Sequence, residues 1–316
     1  MKRALAIALA ATALAAPAAH AEAPHVIVGI GDQSPDLFED ARFHATGIRN
    51  ARIVVPYDIV KADGWPLHLA DLWFARARRD GIEPLVSFGH ALTDKHHMRL
   101  PSVREYAKRV AEFRARYPWV REFSTWNEAN LASAQPTGHH PRRTAVFYRA
   151  LKRHCRGCTI VAVEILLTGN WKTWRWIRAF RHRAGGGKLI FGLHNYPEVT
   201  RLRSQPTRSF LRRVRNADVW VTETGGIVRH NHWKYNEGRA ARAVRHVFKL
   251  ASLSPRVKRV YLYNWRYDGN KRWDSGLISD DGTERMAYYA LLDGLTLERF
   301  RPLPLPVDAP LVPTTP

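Results

Sequence analysis

The sequence predicts an α/β protein that folds as a single-domain (β/α)8 barrel, or TIM barrel. Eight short runs rich in Val, Ile and aromatic residues recur along the chain, each bounded by turn residues. Helix-like segments separate most of these runs, and such alternation is typical of a parallel sheet with right-handed crossovers. Eight strand-helix units favour a closed barrel, with an open α/β sheet of fewer strands as the alternative. We find no repeat of fixed period and no internal linker.

The predicted strands are defined by their apolar content and their turn boundaries. They cover residues 25–32, 50–58, 82–90, 121–130, 159–166, 188–197, 218–226 and 259–267. In a (β/α)8 barrel the functional side chains lie at the carboxyl ends of the strands and in the loops that follow. Polar and aromatic residues are concentrated at these ends, so we expect one functional rim.

Six helices are predicted from apolar residues at helical spacing and from their start and stop signals. The second begins with Ser102-Val103-Arg104-Glu105, a capping box, and ends before Pro118. The other five cover residues 65–81, 143–154, 171–185, 238–252 and 285–295.

Both ends of the chain are predicted to lie outside the barrel, which covers residues 22–301. Lys2 and Arg3, an apolar run and Ala19-His20-Ala21 form a signal-peptide pattern over residues 1–21, so we expect a secreted protein without a transmembrane anchor after cleavage. An uncleaved membrane anchor is the alternative. Residues 302–316 are too rich in proline for a helix or a central strand and predict a disordered tail.

The chain is strongly basic, with 50 Lys and Arg against 28 Asp and Glu and a formal charge of +22. This charge favours anionic partners such as acidic polysaccharides, although it is equally consistent with arginines spread over solvated helix faces. No basic run is interleaved with aromatic residues, so no nucleic-acid partner is expected. We expect a monomer.

The two cysteines, Cys155 and Cys158, are separated by two residues. In a secreted chain this pair most simply forms a structural disulfide. A redox pair should open a helix, where the helix N-terminus lowers the thiol pKa, but this pair follows a predicted helix and precedes a strand. We therefore disfavour a thiol oxidoreductase.

Two glutamates are placed for paired carboxylate chemistry. Glu128 lies at the end of the fourth predicted strand, in Trp126-Asn127-Glu128, and Glu223 lies at the end of the seventh. On a ring of eight strands these positions face each other across the mouth. Two such carboxylates are what glycoside hydrolysis requires: one donates a proton to the leaving oxygen, and the other attacks or activates water.

On these residues the sequence resembles the glycoside hydrolases of clan A, retaining (β/α)8 enzymes that include cellulases, mannanases, xylanases and β-glycosidases. The resemblance implies that Glu128 is the acid/base and Glu223 the nucleophile. Asn127 would then bond the sugar 2-hydroxyl. It also implies that no metal and no organic cofactor is needed.

Further residues match this resemblance at single positions. His194 and Tyr196 are similar to the pair on strand six, in which the tyrosine orients the nucleophile, and Arg52 to the strand-two arginine that bonds it. His90 is similar to a strand-three histidine, and Trp265 to the strand-eight tryptophan that forms the floor under the sugar. Two alternatives stay open: Arg52 at the barrel base if the register slips by one, and Trp265 in the core.

Several other residues have no assigned role. Glu164 ends strand five and is either a buried ion-pair member or a substrate contact. Of the tryptophans at positions 171, 174 and 176 we expect two in the core, while Trp233 is a candidate for sugar stacking. The histidines at positions 96, 97, 139, 140, 230 and 232 lack metal-ligand spacing and predict solvated loops.

The sequence therefore predicts a secreted retaining glycoside hydrolase that acts on a β-linked poly- or oligosaccharide, and the net charge favours an acidic one. The alternative is a non-hydrolytic carbohydrate-binding or cell-envelope barrel. The sugar, the linkage and the choice between endo and exo action cannot be predicted from these residues.

Overall fold

The computed structural model describes residues 24–93, 95, 97–270 and 272–303. Eight parallel strands close into one barrel in chain order: β1 (Ile27–Gly31), β2 (Asn50–Pro56), β3 (Glu83–Gly89), β4 (Glu122–Ser124), β5 (Thr159–Leu166), β6 (Leu189–His194), β7 (Ala217–Thr224) and β8 (Val257–Tyr263). Every predicted strand overlaps one of these. The predicted barrel is thereby confirmed, and the open sheet is wrong. The predicted signal peptide and residues 304–316 of the predicted tail lie outside the described residues.

Helices pack around the barrel. They are α1 (Ala41–Ala45), α2 (Trp65–Arg79), α3 (Val103–Arg116), α4 (Pro141–His154), α5 (Trp171–Ala184), α6 (Tyr196–Thr200), α7 (Gln205–Arg213), α8 (Glu237–Ala251) and α9 (Met286–Leu295). The six predicted helices are all present. The sequence analysis missed α1 and α6, which are too short to show helical periodicity, and it also missed α7. None of the helices in the described part of the chain is long and apolar enough to cross a membrane.

The start of α3 has the predicted capping box. The Ser102 hydroxyl accepts the backbone N–H of Glu105 at 3.0 Å, as expected of an N-cap. Hydrogen bonds from Arg99 and Tyr57, and one from the Ser102 backbone N–H, lower the pKa of the Glu105 carboxylate. This carboxylate accepts hydrogen bonds from Tyr57 at 2.7 Å and from Arg99 at 2.6 Å, so it ties the start of α3 to the loops after β2 and β3.

Cys155 and Cys158 form the disulfide that the sequence predicts. Cys155 directly follows α4, and Cys158 directly precedes β5. The bridge therefore fixes the turn by which the chain re-enters the barrel.

The barrel interior is filled by two kinds of layer. One is apolar and contains Leu85, Val161, Trp220 and Tyr261. Gly29 belongs with it, because a Cβ there would lie 2.5 Å from the Tyr261 ring. The other layer lies nearer the carboxyl ends of the strands and is polar: Arg52, Ser87, Glu164 and His194 are all buried. Such a set is unusual in a core and marks the floor of a site.

Candidate active site

The segment STWNEAN, residues 124–130, forms the turn after β4. The Trp126 indole is buried, stacks on Tyr57 at 5.9 Å and donates its N–H to the Gln135 side chain at 2.8 Å. The backbone N–H of Asn127 reaches the Phe88 carbonyl at 2.7 Å, and that of Ala129 reaches the Glu164 carbonyl at 3.0 Å. These bonds tie the turn to β3 and β5 on both sides of Glu128.

Glu128 itself has a φ of 44°, in the left-handed region that few residues other than glycine adopt. A residue held there costs of order 1–3 kcal/mol and persists only where the surroundings dictate it. The turn supplies such surroundings. The Asn130 side-chain amide donates to the Leu166 carbonyl and accepts from the Leu166 backbone N–H, both at 2.9 Å. The fold thus enforces one direction for the Glu128 side chain.

Glu223 lies near the end of β7 and accepts two hydrogen bonds. Arg52 Nη1 donates to one carboxylate oxygen at 2.8 Å, and the Tyr196 hydroxyl donates to the other at 3.1 Å. The carboxylate is therefore fixed in orientation while 15% of the side chain stays exposed.

The two glutamates meet at the barrel mouth. One carboxylate oxygen of Glu128 and one of Glu223 lie within 4.8 Å of each other, and His194 Nδ1 or Nε2 lies within the same distance of both. The Glu128 side chain is 19% exposed. Both carboxylates are therefore accessible from the mouth and face one small volume.

Arg52 connects the members of the site from below. Its side chain is 1% exposed and donates to Glu223, to Asn127 Oδ1 at 2.7 Å, and to Glu164 at 2.7 Å and 3.2 Å. Burial alone would lower the pKa of Arg52, but the charges of Glu164 and Glu223 outweigh it and raise the pKa above its ordinary value. The register places Arg52 inside the barrel, so the alternative of a salt bridge at the barrel base is wrong.

Glu164 is a fully buried carboxylate paired with Arg52 and bonded by the Ser87 hydroxyl at 2.8 Å. Burial alone would raise the pKa of Glu164, but Arg52, and next His194, lower it to about 2. Of the two roles left open for this residue, the structure shows the buried ion pair. Gly192 makes room for it, since a Cβ there would lie 2.5 Å from Glu164 Cγ.

His194 lies between three carboxylates. Its Nδ1 is 3.1 Å from Glu128 and 3.9 Å from Glu223, and its Nε2 is 3.7 Å from Glu164. Burial alone would lower the pKa of His194, but Glu223, Glu128 and Glu164 raise it to about 9. The imidazole is therefore a cation at neutral pH and donates toward Glu128.

The spacing of Glu128, His194 and Glu223 would also suit a metal ion. The Arg52 guanidinium argues against one, because this buried cation lies 2.8 Å from Glu223 and would repel a metal ion. No other group of possible metal ligands occurs among the described residues.

Known structures share this architecture. A GH5_18 protein from Streptomyces cattleya, solved in complex with GlcNAc, superposes with a TM-score of 0.62 at 13% identity, covering 87% of this chain and 80% of that one. Native xylanase 10B from Thermotoga maritima gives a TM-score of 0.64 at 11% identity, covering 87% and 96%. A family 39 glycoside hydrolase from Bacteroides cellulosilyticus gives 0.56 at 18% identity, covering 87% and 64%.

The chain has the fold of these glycoside hydrolases. The low identities show a shared fold and no more. No model of a known protein family matches the sequence, and no curated protein matches it either.

The remaining predicted site residues differ in position. Asn127 and Tyr196 lie at the site through their bonds to Arg52 and Glu223. His90 follows β3, bonds the Ala91 carbonyl at 3.0 Å and lies edge-on to the His97 ring at 5.8 Å. No hydrogen bond joins His90 to either glutamate within the described residues.

Trp265 does not lie where the resemblance placed it. Its side chain is buried, 1% exposed, and packs edge-on against Phe43 and Tyr288 at 5.6 Å and 5.7 Å. Its indole N–H donates to Asp40 at 3.0 Å. A ring enclosed in this way offers no face to a sugar, so the core-packing alternative describes Trp265 and the predicted sugar floor is wrong for this residue.

Tyr263, the last residue of β8, is the site residue that the sequence analysis missed. It is partly exposed, and its pKa is raised by burial and then by the charge of nearby Glu223. Its neighbour Gly225 has φ 153°, and a Cβ there would lie 2.7 Å from the Tyr263 carbonyl. The signal in the sequence was an aromatic residue at the strand end itself, two positions before Trp265.

A cavity of about 690 Å³ opens between the loops after β1 and β8, with Tyr263 in its wall. Its lining is rich in acids, which are Asp32, Asp36, Glu39, Asp40 and Asp268, against Arg42 and Arg266. Asp32 is buried, which raises its pKa to about 6 even though three backbone N–H groups bond it. The basic composition of the chain therefore does not extend to this cavity.

The tryptophans after β5 divide as expected. Trp176 is buried and stacks on Phe180 at 5.6 Å, and Trp174 is partly buried against Phe210. Trp171 is 63% exposed. Trp233 packs against His230 and under Arg201. His97, His139, His140, His230 and His232 follow no metal pattern, and His96 lies outside the described residues.

Proposed function

We propose that this protein is a retaining glycoside hydrolase with Glu223 as nucleophile and Glu128 as acid/base. The observation that carries the proposal is the distance of at most 4.8 Å between their carboxylate oxygens at the mouth of the barrel. Retaining enzymes hold the two carboxyl groups about 5–5.5 Å apart, whereas inverting enzymes need about 6.5–9.5 Å to admit a water molecule. The close approach of the two oxygens favours the retaining arrangement.

The hydrogen-bond partners divide the roles between the two glutamates. Arg52 and Tyr196 hold both oxygens of Glu223 as acceptors, which suits an ionised nucleophile of fixed direction. Glu128 has only the His194 N–H as its side-chain partner within the described residues. One of its oxygens therefore stays free to carry and release a proton toward the mouth.

The reaction then proceeds in two displacements. A Glu223 oxygen bonds the anomeric carbon while the bond to the leaving oxygen breaks and Glu128 gives that oxygen its proton. Glu128, now a carboxylate, takes a proton from water, whose oxygen bonds the anomeric carbon as the bond to Glu223 breaks. Asn127, held by Arg52, lies beside the glutamates, where it is placed to bond the sugar 2-hydroxyl.

We propose a β-linked poly- or oligosaccharide as the substrate and secretion as the route to it. The first is supported by related folds solved with GlcNAc and with xylotriose. The second is supported by the signal-peptide pattern and the disulfide. The acid-rich cavity beside Tyr263 favours neutral or basic sugars over the acidic substrate that the net charge suggested.

Hydrolysis of a panel of glycans tests this proposal. The panel contains β-linked glucans, xylans, mannans and N-acetylglucosamine oligomers together with uronate-bearing polymers, and NMR identifies the first anomer released. Release of the β-anomer from at least one neutral member is the expected result. Release of the α-anomer would contradict the retaining mechanism, and tight binding without any hydrolysis would favour a carbohydrate-binding barrel instead.

A further inference from the structure

The positive charge of the chain is concentrated in one stretch. Residues 131–216 contain 18 Lys and Arg but only two acidic residues, Glu164 and Glu198. Both acids are buried, at 0% and 4% exposure. The surface formed by this stretch therefore carries no exposed carboxylate.

These basic side chains are also largely without ionic partners. Among the ion pairs of the described residues, Lys188 with Asp218 is the only one that includes a Lys or Arg of this stretch. Helices α2 and α3 and the loop before α3 differ, because Arg76, Arg79, Arg99 and Arg116 are each paired with a carboxylate. Uncompensated charge on one side of a protein produces a directional field.

Three of the four helices in the stretch, α4, α5 and α7, form one continuous surface. Helix α4 packs on α5 through Tyr148 and Phe180, whose rings lie 6.4 Å apart. Helix α5 packs on α7 through Trp174 and Phe210 at 6.1 Å, and Arg181 bonds the Arg213 carbonyl at 3.1 Å. We call the outward side of these helices the basic face; it exposes Arg142, Arg143, Lys152, Arg153, Lys172, Arg175, Arg178, Arg183, Arg208, Arg212 and Arg213.

Two clefts in and beside the basic face are lined by arginines. The cleft between α4 and α5 has a volume of about 440 Å³ and is lined by Arg142, Arg143, Val146, His182 and Arg183. The cleft between α7 and α8 measures about 390 Å³ and is lined by Arg208, Arg212, Arg215 and Arg256, among others. No carboxylate lines either cleft. Arginine forks bind carboxylate and sulfate groups in two-pronged fashion, so each cleft fits an anionic group.

We propose that the basic face binds an anionic polysaccharide, a chain with regularly spaced carboxylate or sulfate groups, apart from the catalytic mouth. A lipid surface fits less well, because Trp171 and Leu202 are the only large apolar side chains exposed on this stretch. A single-stranded nucleic acid fits less well too, because Trp174 is covered by Arg213 at 4.5 Å and Trp176 is buried. The charge of the basic face is observed independently of the proposed function. The choice of a polysaccharide as its partner, however, rests on that function.

Such binding would hold the protein on an acidic polymer while the mouth acts on a different glycan. This separates the two charge environments of the molecule: an acid-rich cavity between the loops after β1 and β8, and a basic face on the outer helices. It also gives the high net charge a position on the fold.

Binding of polygalacturonate to the full-length protein tests the proposal without reference to hydrolysis. The face variant replaces Arg142, Arg153, Arg178 and Arg183 with Glu. The matched control replaces Arg78, Arg104, Lys108 and Arg121 with Glu; these are also exposed and give the same change in formal charge. A third variant with Gln at the four face positions keeps the side-chain size, and circular dichroism checks that each variant folds.

We expect the face variant to bind about thirtyfold more weakly at low salt, since four exposed pairs of modest strength are lost. The control should lose less than about threefold by the same reasoning, and the Gln variant should lie between. Equal weakening of face variant and control would overturn the proposal, as would no binding by the parent. Tighter binding of duplex DNA or of phosphatidylglycerol vesicles at this face would overturn the choice of a polysaccharide. None of these outcomes depends on catalysis, so failure here and failure of the proposed hydrolysis are distinguishable.

Discussion

Glu128 and Glu223 are the same residue type in two different environments, and the difference lies in their neighbours. Glu223 accepts from a guanidinium and a phenol, both buried, whereas Glu128 faces one imidazole. Environments that separate two carboxylates in this way are how an acid and a nucleophile coexist in one site. The role of each glutamate is therefore open to test by substitutions of equal size.

Replacing Glu223 by Gln removes the attacking oxygen but keeps the volume of the side chain. We expect turnover to fall by about 10⁴-fold or more on every substrate, because no intermediate can form. Replacing Glu128 by Gln should cost about 10²–10⁴-fold on glycans, but kcat/KM should fall far less on nitrophenyl glycosides, whose leaving groups need no proton in the first displacement. Steady-state kinetics on both substrate types checks this, and the same substrate dependence in both variants would contradict the assignment.

His194 gives a prediction for stability. Its folded pKa of about 9 lies above the unfolded value of 6.5, because the charges of Glu223, Glu128 and Glu164 overcome the effect of burial. The protonated imidazole thus stabilises the fold fully below pH 6.5, and this contribution is lost as the pH rises through about 9.

Urea unfolding between pH 6 and 10 measures this effect. We expect the free energy of unfolding to decline across that window in the parent and to decline less steeply in His194→Gln. The other titratable groups around the imidazole are Arg52, Glu128, Glu164 and Glu223, and all four are present in both proteins, so the difference between the two slopes reports the imidazole. Parallel slopes in the two proteins would show that His194 is not held as a cation.

Glu164 is expected to act through its neighbours rather than on the substrate. Glu164→Gln removes a buried charge that Arg52 and His194 share, so it should destabilise the fold by about 3–5 kcal/mol. It should also shift the alkaline limb of the kcat profile to lower pH, because the His194 cation loses one of its anions, and leave KM nearly unchanged.

The matched control is Glu198→Gln, which removes another buried carboxylate, here bonded by Thr207 at 2.9 Å and 2.6 Å. Glu198 has no bond to the site residues in the described part of the chain. It should lower stability but leave the pH profile in place. If both variants leave the profile unchanged, Glu164 has only a structural role.

At the scale of strands and helices, the sequence predicted what is long and regular. The eight strands carry dense apolar runs, and α2, α3, α4, α5, α8 and α9 carry clear start or stop signals. Helices α1 and α6 have five residues each, and α7 buries little more than Thr207, Phe210 and Leu211. No periodicity develops over five positions, so the pattern could not reveal α1 and α6, whereas the buried positions of α7 do stand at helical spacing and were missed.

Gly192 on β6 tests how an element shapes the site. A Cβ at this position would lie 2.5 Å from Glu164 Cγ and 2.8 Å from Thr222 Oγ1, so Gly192→Ala must displace Glu164. We expect kcat to fall at least tenfold, since a displacement of about 1 Å in a positioning group has cost of that order or more.

Gly29→Ala on β1 is the control, because its Cβ would meet the Tyr261 ring at 2.5 Å in the apolar layer of the barrel instead. That substitution should lower the melting temperature and leave kcat of the folded protein near the parent value. Loss of kcat in both variants alike would show that any disturbance of the barrel interior disables the site.

At the scale of the whole molecule, the positions of Glu128 and Glu223 were predictable because the barrel fixes where strand ends meet. Within the barrel, the resemblance to clan A enzymes predicted four neighbours of the glutamates, each from its own position in the sequence: Arg52, Asn127, His194 and Tyr196. The resemblance placed Trp265 wrongly, because the direction of a side chain two residues past a strand depends on the loop, here on the bonds of its backbone N–H to Asp32 and its indole to Asp40. Tyr263 was missed because the predicted strand extends to residue 267, whereas β8 ends at Tyr263 itself.

The distribution of charge was also beyond prediction from composition. The net charge of +22 was known, but two of its features needed the fold: α4, α5 and α7 lie side by side, and the cavity beside Tyr263 collects five carboxylates from two separate loops. Residues from distant parts of the sequence meet in each case. The total charge therefore could not predict where acidic and basic side chains are concentrated on the folded protein.

Trapping of the glycosyl-enzyme is the measurement that tests the central claim most directly. An activated β-glycoside with fluorine in place of the hydroxyl next to the anomeric carbon slows the second displacement, so the sugar stays on the nucleophile. We expect mass spectrometry of the digested protein to find one sugar on the peptide that contains Glu223, and none in Glu223→Gln. A sugar found on another residue would contradict the account. So would the absence of any labelled peptide together with release of the inverted anomer from the corresponding unfluorinated glycan.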